Sequence, residues 1–276
     1  MKTALQALNV LLPSCWMLCA LLHGMAFGGP SAPNVVGIRR WALRATLLLH
    51  VMAFALLWRT VDHFPVSDTW TTLSAVALST AALYAWIARS TRHAGSGGIV
   101  LGLVFLLQLV ASAFNNPVPG TRAGNTDAFQ VAHVSTSVLA ASSLVLSGVH
   151  GLLYLILFRR MRERRFGALF QHLPSLDVLA RMTRRAALAG FAFATVGLNL
   201  GIVLAHARKV EGFDYADPHV ILTLVLWIHF GVIAFSERIR GITAHRASFA
   251  ATAGLVVLLG SLFLTLFPGL TFHSTP

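Results

Sequence analysis

Acidic residues are scarce in this sequence, nine against twenty-one lysines and arginines, and charged residues of either sign make up only 11% of it. A water-soluble domain carries about a quarter of its residues as charges, so this composition excludes one. Cysteine is nearly absent. Cys15 and Cys19 stand four apart on one face of an apolar segment, which excludes a disulfide framework and leaves them as packing residues. A nucleophile triad, a phosphate-binding loop and a metal-cysteine cluster are also missing, so the residues do not describe an independent enzyme. Nothing alternates with the ten-residue period of a membrane barrel, so whatever crosses a bilayer here does so as helix.

Apolar length is what the chain has instead: 56% of its 276 residues are hydrophobic and the mean hydropathy is +0.73. Eight runs reach spanning length, at about 4–27, 42–58, 70–88, 98–114, 131–158, 186–206, 219–236 and 247–268. The expectation is an all-α integral membrane protein, a single polytopic domain over 1–276 with eight transmembrane helices. The net charge of +12 does not point to nucleic acid, because the basic residues cluster in a few short loops. Placing the loops after spans 1, 3, 5 and 7 in the cytoplasm puts sixteen of the twenty-one lysines and arginines there, and leaves Lys2, Arg59, Arg122, Arg208 and Lys209 outside. Both termini are then on the outer, periplasmic side of a bacterial inner membrane. Lys2 and the small residues around Ala26 suggest a cleaved signal peptide, but the next helix starts beside Arg39 and Arg40, which calls for an uncleaved span before it. In the longest cytoplasmic connection Ser175 can cap a short amphipathic helix, about 175–183, whose apolar face (Leu176, Val178, Leu179, Met182) is expected to lie on the inner surface.

The twelve histidines are the informative residues on this topology, since imidazole is costly in lipid without a partner and is the usual axial ligand of haem iron. Five fall at or near the outer surface: His63, His133, His206, His219 and His273. His219 begins a helix that Asp217 can cap and Pro218 can open. Four lie at membrane depth, His23, His50, His150 and His229, where a hydrogen bond to another helix competes with ligation of an internal haem or quinone. His50, near the middle of span 2, is at a depth where it could pair with His229 across the bundle. The many small residues of span 5, among them Ser142, Ser143, Ser147, Gly148 and Gly151, read as a face for close helix packing.

Several stretches together resemble the cytochrome c assembly family of CcsA/ResC and HemX-like proteins. They are His133-Val-Ser-Thr-Ser-Val-Leu-Ala-Ala-Ser-Ser-Leu144, the segment LPSLDVLARMTRR from Leu173, the helix with Gly190-Phe191 and Gly197-Leu-Asn-Leu-Gly201, His63-Phe-Pro-Val-Ser-Asp68, Asp217-Pro218 followed by Trp227 and Phe230, and His273-Ser274. The resemblance implies a haem-handling membrane protein, with haem b as cofactor and an external-domain assembly partner, apocytochrome c and membrane lipids as partners. Carried over by position, the axial ligands are His133 and His273, with His219 as first substitute and His63 nearby in the outer set. Arg59 and Arg208 are the cations offered to the anionic propionates, with Arg122 and Lys209 behind them. The chain departs from the family where it holds Asp214 and Ala216 in place of tryptophans, His219 and Val220 in place of Lys and Glu, and Phe235 in place of an intramembrane histidine. These departures keep other readings open: a HemX-like regulator of tetrapyrrole synthesis, a haem-bearing electron-transfer subunit, or a structural subunit of a larger membrane complex.

Overall fold

The computed structural model describes residues 2–25, 33–61, 63–66, 68–91, 93, 95–114, 127–164, 167, 173–207, 215–216 and 218–264. Among them are eight α-helices and no strand: α1 (Lys2–Gly24), α2 (Pro33–Val61), α3 (Thr69–Thr91), α4 (Gly97–Phe114), α5 (Ala128–Arg162), α6 (Leu176–Ala207), α7 (Pro218–Ala234) and α8 (Ala244–Leu264), with a short 3-10 turn, Ser236–Arg238, after α7. Each of the eight apolar runs coincides with one helix. Six of the helices are long and apolar enough to cross a membrane, and the apolar parts of α7 and α8, Val220–Ala234 and Ala244–Gly260, are shorter. Their outward faces are apolar as well: Val10, Leu48, Met52, Phe249 and Val256 are 65–70% exposed. Side chains of that kind around the periphery match lipid rather than water, and the chain is a multi-pass membrane protein.

The chain divides into two compact units, Met1–Thr126 with Arg160–Ser175, and Asp127–Arg159 with Leu176–Pro276, a division with no compositional marker in the sequence. In the first unit, α1 to α4 run alternately up and down and close on themselves, α4 packing against both α3 and α1. Close contacts fix the register. Trp16 and Cys19 of α1 meet His50 and Thr46 of α2, and a Cβ on Gly98 would stand 2.8 Å from the Cα of Gly24, so α1 and α4 touch backbone to backbone. Cys19 is a buried free thiol, as a packing residue should be. Asp68 starts α3 by accepting the Trp70 and Thr71 amides (2.8 and 3.1 Å) while the Thr71 hydroxyl returns to its other oxygen (2.8 Å), which satisfies two of the donors a helix start leaves open.

In the second unit, α5 and α6 are antiparallel neighbours, joined at His133–Gly197 and again at Ser147–Thr183. α6 pairs with α7, and α8 returns along α7 and α5. The small residues of α5 are what allow this: a Cβ on Gly148 would fall 2.4 Å from the Leu255 Cβ, and one on Gly151 would fall 2.6 Å from the Ser248 carbonyl. On the other side a Cβ on Gly190 would strike the buried ring of Phe230, whose neighbours Leu144, Ala187, Ala194, Ile233 and Ala251 form the core. The expected surface helix over 175–183 does not stand apart. Leu176–Ala207 is one unbroken helix, and Val178, Leu179 and Met182 are buried in line with Ala186, Ala187, Gly190, Ala194 and Gly197. No Gly or Pro interrupts Leu176–Ala189, and the apolar stripe keeps its 3.6-residue phase, so it packs on helices of this unit rather than on a membrane surface. At the same end Arg184 pairs with Glu237 after α7.

Candidate functional site

His133 lies on the second turn of α5, half-buried against α6, and its Nδ1 is 2.8 Å from the Gly197 carbonyl oxygen. A carbonyl can only accept, so Nδ1 carries a proton, and in the neutral ring Nε2 then holds the lone pair. Nε2 has no hydrogen-bond partner among the described residues. An imidazole held by one nitrogen to a backbone carbonyl and open at the other is arranged as metal-binding histidines are, because the bond fixes the tautomer and raises the basicity of the free nitrogen. The ring lies over the missing side chain of Gly201, where a Cβ would stand 2.8 Å from Cε1 and 3.2 Å from Nδ1. One turn further along α5, the Thr136 hydroxyl donates to the Ala132 carbonyl (2.8 Å) and sits where a Cβ on Gly197 would be 3.2 Å away. Two glycines one turn apart on α6 thus let the helices come close enough for the bond.

The other outer histidines are not equivalent to it. His206, near the end of α6, donates from Nδ1 to the Ile202 carbonyl (2.8 Å) and accepts at Nε2 from the Tyr215 hydroxyl (3.3 Å), so neither nitrogen is open. His219 is the second residue of α7, whose start at Pro218 is where the sequence puts it; its side chain lies outside the described set. His273 and Arg208 lie outside the described residues altogether, as do Arg122, Lys209, Asp214 and Asp217. His63 and Arg59 belong to the first unit. His63 follows α2 and donates from Nδ1 to the Phe64 carbonyl at 2.9 Å, and Arg59 stands exposed on the last turn of α2. Trp58 packs edge-on against Phe64 and Trp70 stacks on Phe114, so aromatics gather at this end of the first unit as an interfacial belt would. No three His, Cys, Asp or Glu side chains among the described residues converge on a bare metal ion; a haem iron takes two at most.

The histidines at membrane depth carry the main correction. His50 does not pair with His229, because both its nitrogens are engaged inside the first unit. Trp16 Nε1–H donates to His50 Nδ1 at 3.1 Å, and since an indole can only donate, His50 must carry its proton on Nε2. That proton goes to Ser74 Oγ (3.0 Å), Ser74 donates to Gln108 Oε1 (2.8 Å), and Gln108 Nε2 donates to Ser112 Oγ (2.9 Å). One directed chain therefore ties α1, α2, α3 and α4 together, and it leaves His50 no lone pair for iron. A small recess opens onto it, lined by His50, Ser74 and Gln108 together with Leu5, Leu8, Leu12 and Phe54. His229 is the opposite case: its Nε2 is buried beside Gly254 with no hydrogen-bond partner among the described residues. His150 donates from Nδ1 to the Leu146 carbonyl of its own helix at 2.9 Å.

The family model for cytochrome C assembly protein matches residues 40–273. The chain belongs to this family. Among curated members, it is 22% identical over 230 residues to "Cytochrome c biogenesis protein CcsA" of Chlamydomonas reinhardtii, covering 81% of this chain and 64% of that one. It is 23% identical over 275 residues to the protein of the same name from a Synechococcus strain (89% of this chain, 88% of the relative), and 27% identical over 173 residues to "Protein HemX" of Brevibacillus brevis (62% of each). The family match takes in both units, from the first third of α2 to His273.

Two features of this assembly family member escaped the sequence reading. The Trp16–His50–Ser74–Gln108 chain joins four helices, and only the rotational phase of each helix decides which polar groups face one another. The seat of His133 uses a backbone acceptor, which has no residue type of its own; its only trace in the sequence is the Gly197-x-x-x-Gly201 pair that lets α5 approach.

Proposed function

We propose that this chain handles haem during cytochrome c assembly and that His133 is one axial ligand, through Nε2. The observation that carries the reading is the His133 Nδ1–H bond to the Gly197 carbonyl, with no hydrogen-bond partner for Nε2 among the described residues, in a member of a family whose curated relatives include proteins named for cytochrome c biogenesis. The residues present fit half of such a site: an imidazole oriented through Nδ1 at one end of a membrane-embedded unit. His273 is assigned as the opposite ligand, His219 as its first substitute, and Arg208 as a cation for a propionate. All three belong to the second unit, so the proposed site is built there, and His63 and Arg59 are kept outside it. Haem b, when bound, supplies the vinyl groups that apocytochrome c thiols take up, and the protein's part is to hold it in one orientation beside the outer face of the bacterial inner membrane. That placement rests on eight spans with both termini outside, as the arginine distribution requires. The HemX match supports a second reading, regulation of tetrapyrrole synthesis, because Asp214 and Ala216 leave no tryptophan platform before Pro218.

The test is the absorption spectrum of the purified, haem-loaded protein. Two neutral imidazoles give a six-coordinate, low-spin iron. His133→Ala and His273→Ala should each convert it to a high-spin spectrum that free imidazole restores, and spectra indistinguishable from the parent would remove the assignment. Haem that stays bound and low-spin in both variants, with loss of a tetrapyrrole-synthesis partner on pull-down, would favour the regulatory reading.

A further inference from the structure

The bond between His133 and α6 depends on two positions with no side chain, and this identifies positioning residues for the site. Resting on the haem-handling reading, we propose that Gly201 and Gly197 form a seat that holds His133 as the Nδ1–H tautomer and presents Nε2, so that the ligand is oriented by the backbone of α6. Gly201 supplies the clearance: a methyl group there would overlap Cε1 at 2.8 Å and crowd Nδ1 at 3.2 Å. The α6 backbone is fixed by its own hydrogen bonds, so the ring is what yields, and a shift away from Gly201 disturbs its bond to the Gly197 carbonyl. Gly197 supplies the approach, since a Cβ there would meet Thr136 Oγ1 at 3.2 Å and Ser137 Oγ at 3.4 Å and push α5 outward by a few tenths of an ångström. Thr136 cannot turn away cheaply, because its hydroxyl is bonded to the Ala132 and His133 carbonyls at 2.8 and 3.0 Å. His206 shows the contrast within the same unit: it binds the carbonyl of Ile202 in its own helix, and its second nitrogen is taken by Tyr215.

Three measurements on the full chain in micelles test the seat. In haem-free protein labelled with 15N-histidine, the His133 ring, identified by its loss in His133→Ala, should be the Nδ1–H tautomer, and Gly201→Ala should shift it toward Nε2–H. Gly102→Ala, at a position with open space, is the control and should leave it unchanged. In haem-loaded protein, Gly201→Ala should lower haem affinity about 10- to 100-fold, the range for loss of a group that orients a metal ligand, and raise the midpoint potential, since a less basic imidazole stabilises ferric iron less. If Gly201→Ala impairs folding, the double variant Gly201→Ala/His133→Ala, in which no ring meets the methyl group, should recover part of the lost thermal stability. A wild-type His133 in the Nε2–H form, or a Gly201→Ala variant that changes neither tautomer nor affinity while His133→Ala abolishes haem binding, overturns the seat. If haem binding is indifferent to His133 but the tautomer still follows Gly201, the seat stands and the haem assignment of His133 falls.

Discussion

Replacing His50 with leucine removes the hub of the polar chain in the first unit and leaves Trp16 Nε1–H facing a methyl group. Trp16 and His50 are both 0% exposed, so water cannot take over. An orphaned buried donor costs about 1–3 kcal/mol, whereas interhelical hydrogen bonds inside membranes average only about 0.6 kcal/mol because the unfolded chain in a micelle also finds partners. Ser74 keeps Gln108 as its acceptor and is not orphaned. The stack of His50 on Phe54, with centroids 5.5 Å apart and planes 16° from parallel, is also lost, a term of about 0.5–1.5 kcal/mol partly offset by the leucine's own burial. The expected net destabilisation is about 1–3 kcal/mol, read by equilibrium unfolding in mixed micelles. The decisive comparison is the double variant Trp16→Phe/His50→Leu: with both partners apolar no group is orphaned, so it should be at least as stable as His50→Leu alone. Haem content should match the parent in both, because His50 has no free lone pair. Additive losses in the double variant would refute the orphaned-donor reasoning, and loss of haem from a folded His50→Leu protein would refute the assignment of His50 as a structural hub.

Asp68→Ala should lower stability by about 1 kcal/mol through loss of the α3 cap, while hydrogen exchange quickens at the first turn of α3 only; no change there would deny the cap a role. Gly151→Val places atoms against the Ser248 carbonyl, which a side-chain rearrangement cannot relieve, so a loss of about 1–3 kcal/mol is expected, and stability equal to the parent would mean α5 and α8 are not in contact. A reporter fused after Pro276 that works only in the cytoplasm should stay silent, and a strong signal would reverse the proposed topology. In a host lacking its own cytochrome c assembly system, this chain alone should leave an apocytochrome reporter without covalent haem, since Asp214 and Ala216 stand where tryptophans would present it; covalent haem on the reporter would show that a platform exists elsewhere.

Helices were legible in the sequence because a bilayer demands long apolar runs, and all eight lie where such runs do. Their ends were less so. The apolar run of α6 begins near Ala186 but the helix begins at Leu176, since hydropathy marks the part of a helix in lipid and not the arginine-bearing turns before it. His133 stood out because a histidine in an apolar helix near an interface needs a reason, yet its partner is a carbonyl. His50 stands out equally, and its bonds to other helices are of the kind its depth calls for, but Trp16 and Ser74 are not legible as the partners, because sequence position gives depth in the membrane and not the direction in which a side chain points. The division into two units left no trace, since the chain passes between them with no change of composition.

The chain from Trp16 to Ser112 also has a fixed direction of travel. A proton can hop along hydrogen-bonded groups only if each can take one from one side and give one to the other, after which every dipole is reversed. The indole at the head of this column gives and cannot receive, so no proton enters the column through Trp16. Five polar side chains in an apolar four-helix unit are thereby held in one sense, each donating to the next. A tryptophan at one end gives the polar interior of the first unit a polarity as well as a partner for each group.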